Sequence, residues 1–214
     1  MTTFLFDMDG TLFDTEKYYN RAWKQAISDA GYELPAEEVL KLRSLGRPFA
    51  VEQFQRWFGP EVDYWSIREH RKELMKDFLS GQIPLKPAVP ETLRFLKEQG
   101  YSLAVVTATE PKQAEYNLCT AGIRQFFDAV ICATMVERGK PAPDVYEYAC
   151  RELNVLPKEC YAVEDSPNGI RSAYDAGCSV IMIPDLAQPD EETEQLLCKK
   201  LDTFSLLMNI PASS

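Results

Sequence analysis

The sequence predicts an α/β fold: a parallel sheet covered by helices and interrupted, after its first strand, by an all-helical block. Two observations carry this prediction. From residue 84 onward, short apolar segments of strand length alternate with amphipathic segments of helix length, which is the pattern of parallel sheets. Between residues 16 and 80, apolar residues recur at helical spacing without any segment typical of a strand.

The elements follow in this order along the chain. Phe4-Leu5-Phe6 is a short apolar strand that runs into a turn at residues 7–11. The helical block has predicted helices from residue 16 to Gly31 and over 39–45, 51–58 and 64–79, and residues 81–87 form a linker. The remaining helices are expected at 90–100, 111–121, 143–153 and 169–176, with strands at 102–106, 129–132, 161–163 and 179–183. The predicted domains are therefore a core of residues 1–15 and 84–214 and a helical domain of residues 16–83.

Composition narrows the classes of partner. The 214 residues include 33 acidic and 23 basic side chains, and this net charge of −10 makes nucleic acid an unsuitable partner. No apolar run approaches the roughly 20 residues of a membrane span, and the N-terminus does not resemble a signal peptide. The six cysteines form no CxxC pair, and the single histidine lies far from them. We therefore expect a cytoplasmic monomer with reduced thiols.

Residues able to carry chemistry follow the predicted strands. Ligands of parallel sheets bind beyond the C-terminal strand ends, so these side chains should lie close together: Asp7, Asp9, Thr107, Lys140, Glu164 and Asp165. Several carboxylates in one crevice repel each other unless a cation lies among them, and oxygen ligands favour Mg²⁺.

An ionised aspartate in such a crevice can act as a nucleophile towards phosphorus. A second aspartate can serve as the acid for the leaving group and then as the base for water. Asp7 and Asp9 fit these two roles in that order. Lys140 adds a positive charge that can bind a carboxylate or a phosphate.

Four motifs, in this order and over nearly the whole chain, resemble those of the haloacid dehalogenase superfamily. They are DMDGT at residues 7–11, Thr107, GKPAPD at 139–144 and EDSPNG at 164–169. The last two motifs and the segment DTE at 14–16 are similar to the β-phosphoglucomutase-like branch. The resemblance implies a Rossmann-like core with an inserted helical cap domain, which agrees with the pattern of the elements.

The resemblance also implies roles for the matched positions. Asp7 would be the nucleophile and a Mg²⁺ ligand, and Asp9 would be the acid and base whose backbone carbonyl also reaches the metal. Asp165 would be a metal ligand, and Glu164 either a ligand or a partner of the ligands. The residues expected to bind substrate are Thr107, Ala108, Thr109, Lys140, Gly46 and Arg47, of which Thr107 and Lys140 would contact the transferring phosphoryl group. In the cap, Arg43 is a second arginine able to reach the cleft.

Three alternatives differ in single features of the sequence. Asp9 disfavours dehalogenation, because a halide leaves without a proton. A phosphonatase needs a cap lysine, and neither Lys24 nor Lys41 lies in an apolar segment. A sugar phosphomutase holds a second phosphate with a Ser-Lys-Asn stretch, where this chain has Thr109-Glu110-Pro111. The sequence thus predicts a Mg²⁺-dependent phosphatase of a small phosphorylated metabolite, acting through an aspartyl-phosphate. The alternative is a β-phosphoglucomutase-type mutase; a phosphonatase or a non-catalytic binding protein ranks lower.

Overall fold

A single parallel sheet organises the part of the chain that the computed structural model describes, residues 3–79, 81 and 83–210. Its strands are β1 Thr3–Phe6, β2 Ser102–Thr107, β3 Ala129–Cys132, β4 Cys160–Glu164, β5 Ser179–Met182 and β6 Lys199–Lys200. Their order in the sheet is β3-β2-β1-β4-β5-β6. The chain order therefore reverses beside β1, and ligands of such sheets bind in the crevice at that point.

The first strand lies at the centre of the sheet. Every residue of β1 is buried, because neighbouring strands and covering helices enclose it on all sides. Phe6 pairs with Val105 on β2 and with Val163 on β4. Asp7 therefore leaves the sheet between the carboxyl ends of two neighbouring strands.

Helices cover both faces of the sheet. They are α5 Val89–Glu98, α6 Pro111–Thr120, α7 Asp144–Glu152, α8 Pro167–Asp175 and the short α9 Glu191–Glu194. Since successive residues of a strand point to opposite faces, β1 contributes to two separate hydrophobic clusters. Phe4 and Phe6 lie in the cluster beneath α5, whereas Leu5 lies in the one beneath α7 and α8.

A helical cap is inserted between β1 and β2. Its helices are α1 Glu16–Asp29, α2 Ala36–Val39, α3 Phe49–Phe58 and α4 Tyr64–Leu79. The cap has its own hydrophobic cluster around Phe54, to which Ile27 and Ile67 contribute from α1 and α4. The predicted fold class, a Rossmann-like parallel sheet with an inserted helical cap, is thus confirmed. Within the described ranges, no helix is both long and apolar enough to cross a membrane.

The two ends of the cap are joined side by side. Phe13 and Leu85 form an antiparallel bridge. The amide of Asp14 donates to the carbonyl of Pro84 at 2.8 Å, and the amide of Lys86 donates to the carbonyl of Leu12 at 2.9 Å. We call this pairing of residues 12–14 with 84–86 the clasp.

The clearest differences from the predicted elements lie in the cap and at one edge of the sheet. The helix expected over 39–45 lies earlier and is shorter: α2 ends at Val39 and is followed by a 3-10 helix, Leu40–Leu42, and Ser44 has a φ of +53°. The chain leaves the helix there because the next residues reach the core, where the amide of Gly46 donates to the carbonyl of Lys140. Strand β6 was not predicted, because two exposed lysines have no apolar pattern. Of the predicted linker 81–87, residue 82 lies outside the described residues.

Candidate active site

A cavity of about 780 Å³ lies between the cap and the carboxyl ends of the strands. The predicted site residues that line it are Asp7, Asp9, Thr107, Ala108, Thr109, Gly46 and Arg47. Lys140, Glu164 and Asp165 are fully buried. The structure therefore brings the sequence-predicted residues into one region. The first group lines the cavity, and the second group is fully buried beside it.

Lys140 is the buried cation of the site. Its Nζ donates to Asp7 Oδ1 at 2.5 Å, to Glu164 Oε1 at 2.6 Å and to the carbonyl of Val106 at 3.0 Å. Burial alone lowers the pKa of Lys140, but the charges of Asp7 and Glu164 more than reverse this and raise the pKa. The amine therefore stays protonated. Tyr146 adds a hydrogen bond of 2.6 Å from its hydroxyl to Glu164 Oε1.

A buried acidic cluster lies beside this lysine. Oxygen atoms of Asp7, Glu164 and Asp165 lie within 4.8 Å of one another. Asp7 Oδ2 and both carboxylate oxygens of Asp165 are buried, and no residue in the described part of the chain donates a hydrogen bond to them. Burial raises the pKa of Asp7 and of Asp165 well above the ordinary value. Buried carboxylate oxygens without donors fit a divalent cation, which would satisfy them and offset their repulsion.

The close approach in this cluster depends on two glycines. Gly10 has a φ of +89°, and a Cβ there would lie 2.5 Å from Asp165 Oδ2. A Cβ on Gly169 would lie 2.1 Å from the carboxylate of Glu164. Both positions must lack a side chain for the acidic residues to keep their places.

Asp9 lies at the cavity wall and is held by two hydroxyl groups. Thr15 donates to Asp9 Oδ1 and Thr109 donates to Asp9 Oδ2, each at 2.8 Å. The amide of Thr109 in turn donates to the hydroxyl of Thr107 at 3.0 Å. Burial raises the pKa of Asp9, while the bonds from Thr15 and Thr109 oppose the shift. A raised pKa favours a group that must donate a proton.

Several residues of the site have no role predicted from the sequence, and Glu16, Arg71 and Tyr146 are examples. Glu16 is buried, and burial together with the charge of Asp9 raises the pKa of its carboxyl. Arg71 lines the cavity, and its guanidinium lies 5.1 Å from the ring of Tyr19 and 5.0 Å from that of Trp23. Tyr146 is buried, and its hydroxyl donates a hydrogen bond to Glu164. The DTE segment that ends in Glu16 was the one available signal. Arg71 and Tyr146 belong to amphipathic helices whose pattern does not mark them.

The cap contacts the core on both sides of the cavity. On one side, the amide of Gly46 donates to the carbonyl of Lys140 at 2.7 Å, and the amide of Gly139 donates to the carbonyl of Arg47 at 2.8 Å. Nearby, Arg43 Nη1 lies 3.6 Å from Asp165 Oδ2, and both side chains are buried. The cap arginine that reaches the acidic cluster is therefore Arg43, while Arg47 lines the cavity.

On the other side, α4 contacts the loop after β2. Arg68 Nη2 lies 2.9 Å from Glu110 Oε1, and Lys72 Nζ lies 3.1 Å from the same oxygen. All three residues line the cavity. The two cap lysines considered for a phosphonatase, Lys24 and Lys41, do not line it. Among the described cap residues, Lys72 and Lys76 do line it, and Lys72 is held in ion pairs with Glu69 and Glu110.

Comparisons with known proteins agree with this architecture. Residues 4–183 match the sequence model of the haloacid dehalogenase-like hydrolases. Protein CbbY of Cereibacter sphaeroides is 33% identical over 199 residues, which cover 88% of this chain and 86% of that protein. The phosphorylated carbohydrates phosphatase of Thermotoga maritima is 30% identical over 183 residues, covering 83% of this chain and 82% of that protein.

A solved structure extends the comparison to three dimensions. The crystal structure of a CbbY variant from Rhodobacter sphaeroides in complex with xylulose-(1,5)bisphosphate has a TM-score of 0.78 and 30% identity. The match covers 96% of each chain, and it therefore includes the cap as well as the sheet.

Proposed function

This chain belongs to the haloacid dehalogenase-like hydrolase family, and we propose that it is a Mg²⁺-dependent phosphatase of small phosphorylated metabolites such as sugar phosphates. The observation that carries the proposal is the buried contact of Lys140 with Asp7 beside the acidic cluster. The phosphatase of phosphorylated carbohydrates among its relatives supports the substrate class.

The acidic cluster is the proposed metal site. Asp7 and Asp165 would hold Mg²⁺ through the carboxylate oxygens that have no hydrogen-bond partner among the described residues. Glu164 Oε1 already accepts bonds from Lys140 and Tyr146, so this residue orients the cluster and has only its second oxygen to offer. When bound, Mg²⁺ would supply positive charge opposite the oxygens of the phosphoryl group.

In the first step, the Asp7 carboxylate attacks phosphorus and the ester bond to the leaving oxygen breaks. Lys140 holds Asp7 in place and contributes positive charge to the site. Asp9, whose pKa is raised by burial, gives its proton to the departing oxygen. The products of this step are an alcohol and an aspartyl-phosphate on Asp7.

In the second step, Asp9 is a carboxylate and takes a proton from water. The water oxygen attacks phosphorus, the bond to Asp7 breaks, and inorganic phosphate leaves. Thr107 and Thr109 line the cavity at this point. Their proposed role is to bind the phosphoryl oxygens and, for Thr109, to hold Asp9.

The cap is proposed to close the site over the substrate. Its division from the core, at residues 16–83, is supported by the clasp and by the separate hydrophobic cluster of the cap. Gly46 and Arg47 are proposed to contact the substrate from the cap loop. A closed cap keeps bulk water from the reacting groups.

The test is phosphate release from a panel of sugar phosphates, nucleoside monophosphates and other small phosphoesters, with Mg²⁺ or with EDTA. We expect metal-dependent release. Asp7→Asn should abolish it while the circular dichroism spectrum and the unfolding temperature stay close to those of the unaltered protein. Release by Asp7→Asn at the original rate would refute the nucleophile. Conversion of glucose 1-phosphate into an isomer, with no free phosphate, would establish the mutase instead.

A further inference from the structure

We propose that Glu110 sets the substrate class of this site by acting as a built-in counter-anion for Arg68 and Lys72, so that phosphomonoesters carrying a second phosphate are disfavoured. The inference rests on the proposed phosphatase function of the same cavity. It assigns a specificity role to a residue that does not take part in the chemistry.

The geometry places Glu110 at the junction of cap and core. It directly follows Thr109 and precedes α6, whereas Arg68 and Lys72 lie four residues apart on one face of α4. Glu110 Oε1 lies 2.9 Å from Arg68 Nη2 and 3.1 Å from Lys72 Nζ. The hydrogen bonds from Arg68 and Lys72 also lower the pKa of Glu110, which is therefore ionised at neutral pH.

The charges of this group balance. Glu69 Oε1 lies 3.2 Å from Arg68 Nη1 and 2.8 Å from Lys72 Nζ, so the two cations face two carboxylates. The side chains of Arg68, Lys72 and Glu110 are 17%, 29% and 46% exposed, so water screens the two cations less than it screens the carboxylate. A second phosphate arriving here would have to displace Glu110 or lie beside its negative charge.

The substrate class follows from this balance. A phosphomonoester whose remainder is neutral and rich in hydroxyl groups does not have to displace Glu110 from Arg68 and Lys72. The second phosphate of a bisphosphate of the same length would lie next to the negative charge of the Glu110 carboxylate. The cavity therefore favours the monophosphate, mainly through binding rather than through the chemical step.

The experiment compares fructose 1-phosphate with fructose 1,6-bisphosphate as probes. For Glu110→Gln we expect KM for the bisphosphate to fall about tenfold, equivalent to about 1.4 kcal/mol. KM for the monophosphate and both kcat values should stay within about twofold, since the reacting groups are untouched. Glu69→Gln is the matched control: it removes a carboxylate from the same two cations, but its side chain is 62% exposed and lies on α4 itself. We expect it to lower KM for the bisphosphate less than Glu110→Gln does, because the Glu69 side chain is the more exposed of the two carboxylates.

A double variant tests the charge count. Lys72→Gln combined with Glu110→Gln removes one cation and one anion, and should restore the preference for the monophosphate. An unchanged preference in folded Glu110→Gln, an equal change in Glu69→Gln, or an equal loss of kcat on both esters would overturn the proposal.

A binding measurement separates this inference from the proposed function. If the unaltered protein releases phosphate from neither ester, the phosphatase proposal fails. Calorimetric Kd values for the two esters, measured in Asp7→Asn protein with and without Glu110→Gln, would still decide the role of Glu110. A Kd for the bisphosphate that Glu110→Gln does not lower would contradict it.

Discussion

Thr109 and Asp9 lie 100 positions apart in the sequence, yet the threonine hydroxyl donates a 2.8 Å hydrogen bond to Asp9 Oδ2. Thr15 holds the other oxygen at the same distance. One of these hydroxyls precedes the cap and the other follows β2. The orientation of the proposed proton donor thus depends on the contact between two distant parts of the chain.

Thr109→Val should therefore slow proton transfer to the leaving group. General acids contribute about 10²–10⁴-fold to rate, and a misplaced acid should lose about tenfold or more of this. We expect kcat to fall for an alkyl phosphate and much less for p-nitrophenyl phosphate, whose leaving group needs no proton. Asp9→Asn removes the acid altogether, so its loss in kcat on the alkyl phosphate is the largest loss that Thr109→Val can cause through Asp9. Equal losses on both esters would contradict the role in orienting Asp9 and leave Thr109 with phosphate binding alone.

Lys140→Met should destabilise the fold as well as abolish activity. The substitution leaves the buried carboxylates of Asp7 and Glu164 without their cation, and breaking such a contact costs about 3–5 kcal/mol. Urea unfolding at neutral pH measures the loss. Lys97→Met is the control, because its ion pair with Asp128 is 33% and 42% exposed and exposed pairs contribute about 0–1 kcal/mol. Similar losses for both variants would contradict the prediction.

The metal-free protein should lose stability as the pH rises. Burial raises the pKa of Asp7, Asp165 and Glu16 in the folded state, so the folded chain binds more protons than the unfolded chain above the ordinary carboxyl pKa of about 4. The free energy of unfolding then decreases with pH until these raised pKa values are passed.

Mg²⁺ should reverse this trend, because it requires the ionised carboxylates. The unfolding temperature, measured at about pH 5.5 and about pH 7.5, should be higher at the lower pH in EDTA. The gain on adding Mg²⁺ should be larger at the higher pH. A gain that is equal at both values would place the metal away from these carboxylates.

Tyr146→Phe should lower the affinity for Mg²⁺, although Tyr146 is not one of the proposed metal ligands. The change removes the 2.6 Å hydrogen bond to Glu164 Oε1, and the loss of a partner that orients metal ligands typically reduces affinity about 10–100-fold. Calorimetric titration with Mg²⁺ measures the effect directly. Tyr148→Phe, on the same helix, should titrate like the unaltered protein. An unchanged Mg²⁺ affinity in Tyr146→Phe would remove this residue from the support of the site.

The sequence predicted the sheet and the convergence of Asp7, Thr107 and Glu164, because parallel strands bring their carboxyl ends to one edge. Lys140 was predicted from its motif, although nothing local to it indicated full burial. The contacts of Glu110 with α4 were beyond prediction, since they depend on how the cap packs over the core. The early end of the helix expected over 39–45 has the same origin: the pattern continues, but a contact with the core takes the chain elsewhere.

The clasp makes the cap an exchangeable part. Phe13 and Leu85 form a bridge, so the insertion leaves and re-enters the core at neighbouring positions, as a closed loop does. Each doubling of the length of such a loop costs only about 0.6 kcal/mol in closure entropy. A cap of different length or shape could therefore be grafted at this junction with little loss in the stability of the sheet. Selectivity can therefore change in engineered chimaeras while the sheet keeps its fold, provided that the new cap replaces the contacts of Arg43 and Gly46 with the core.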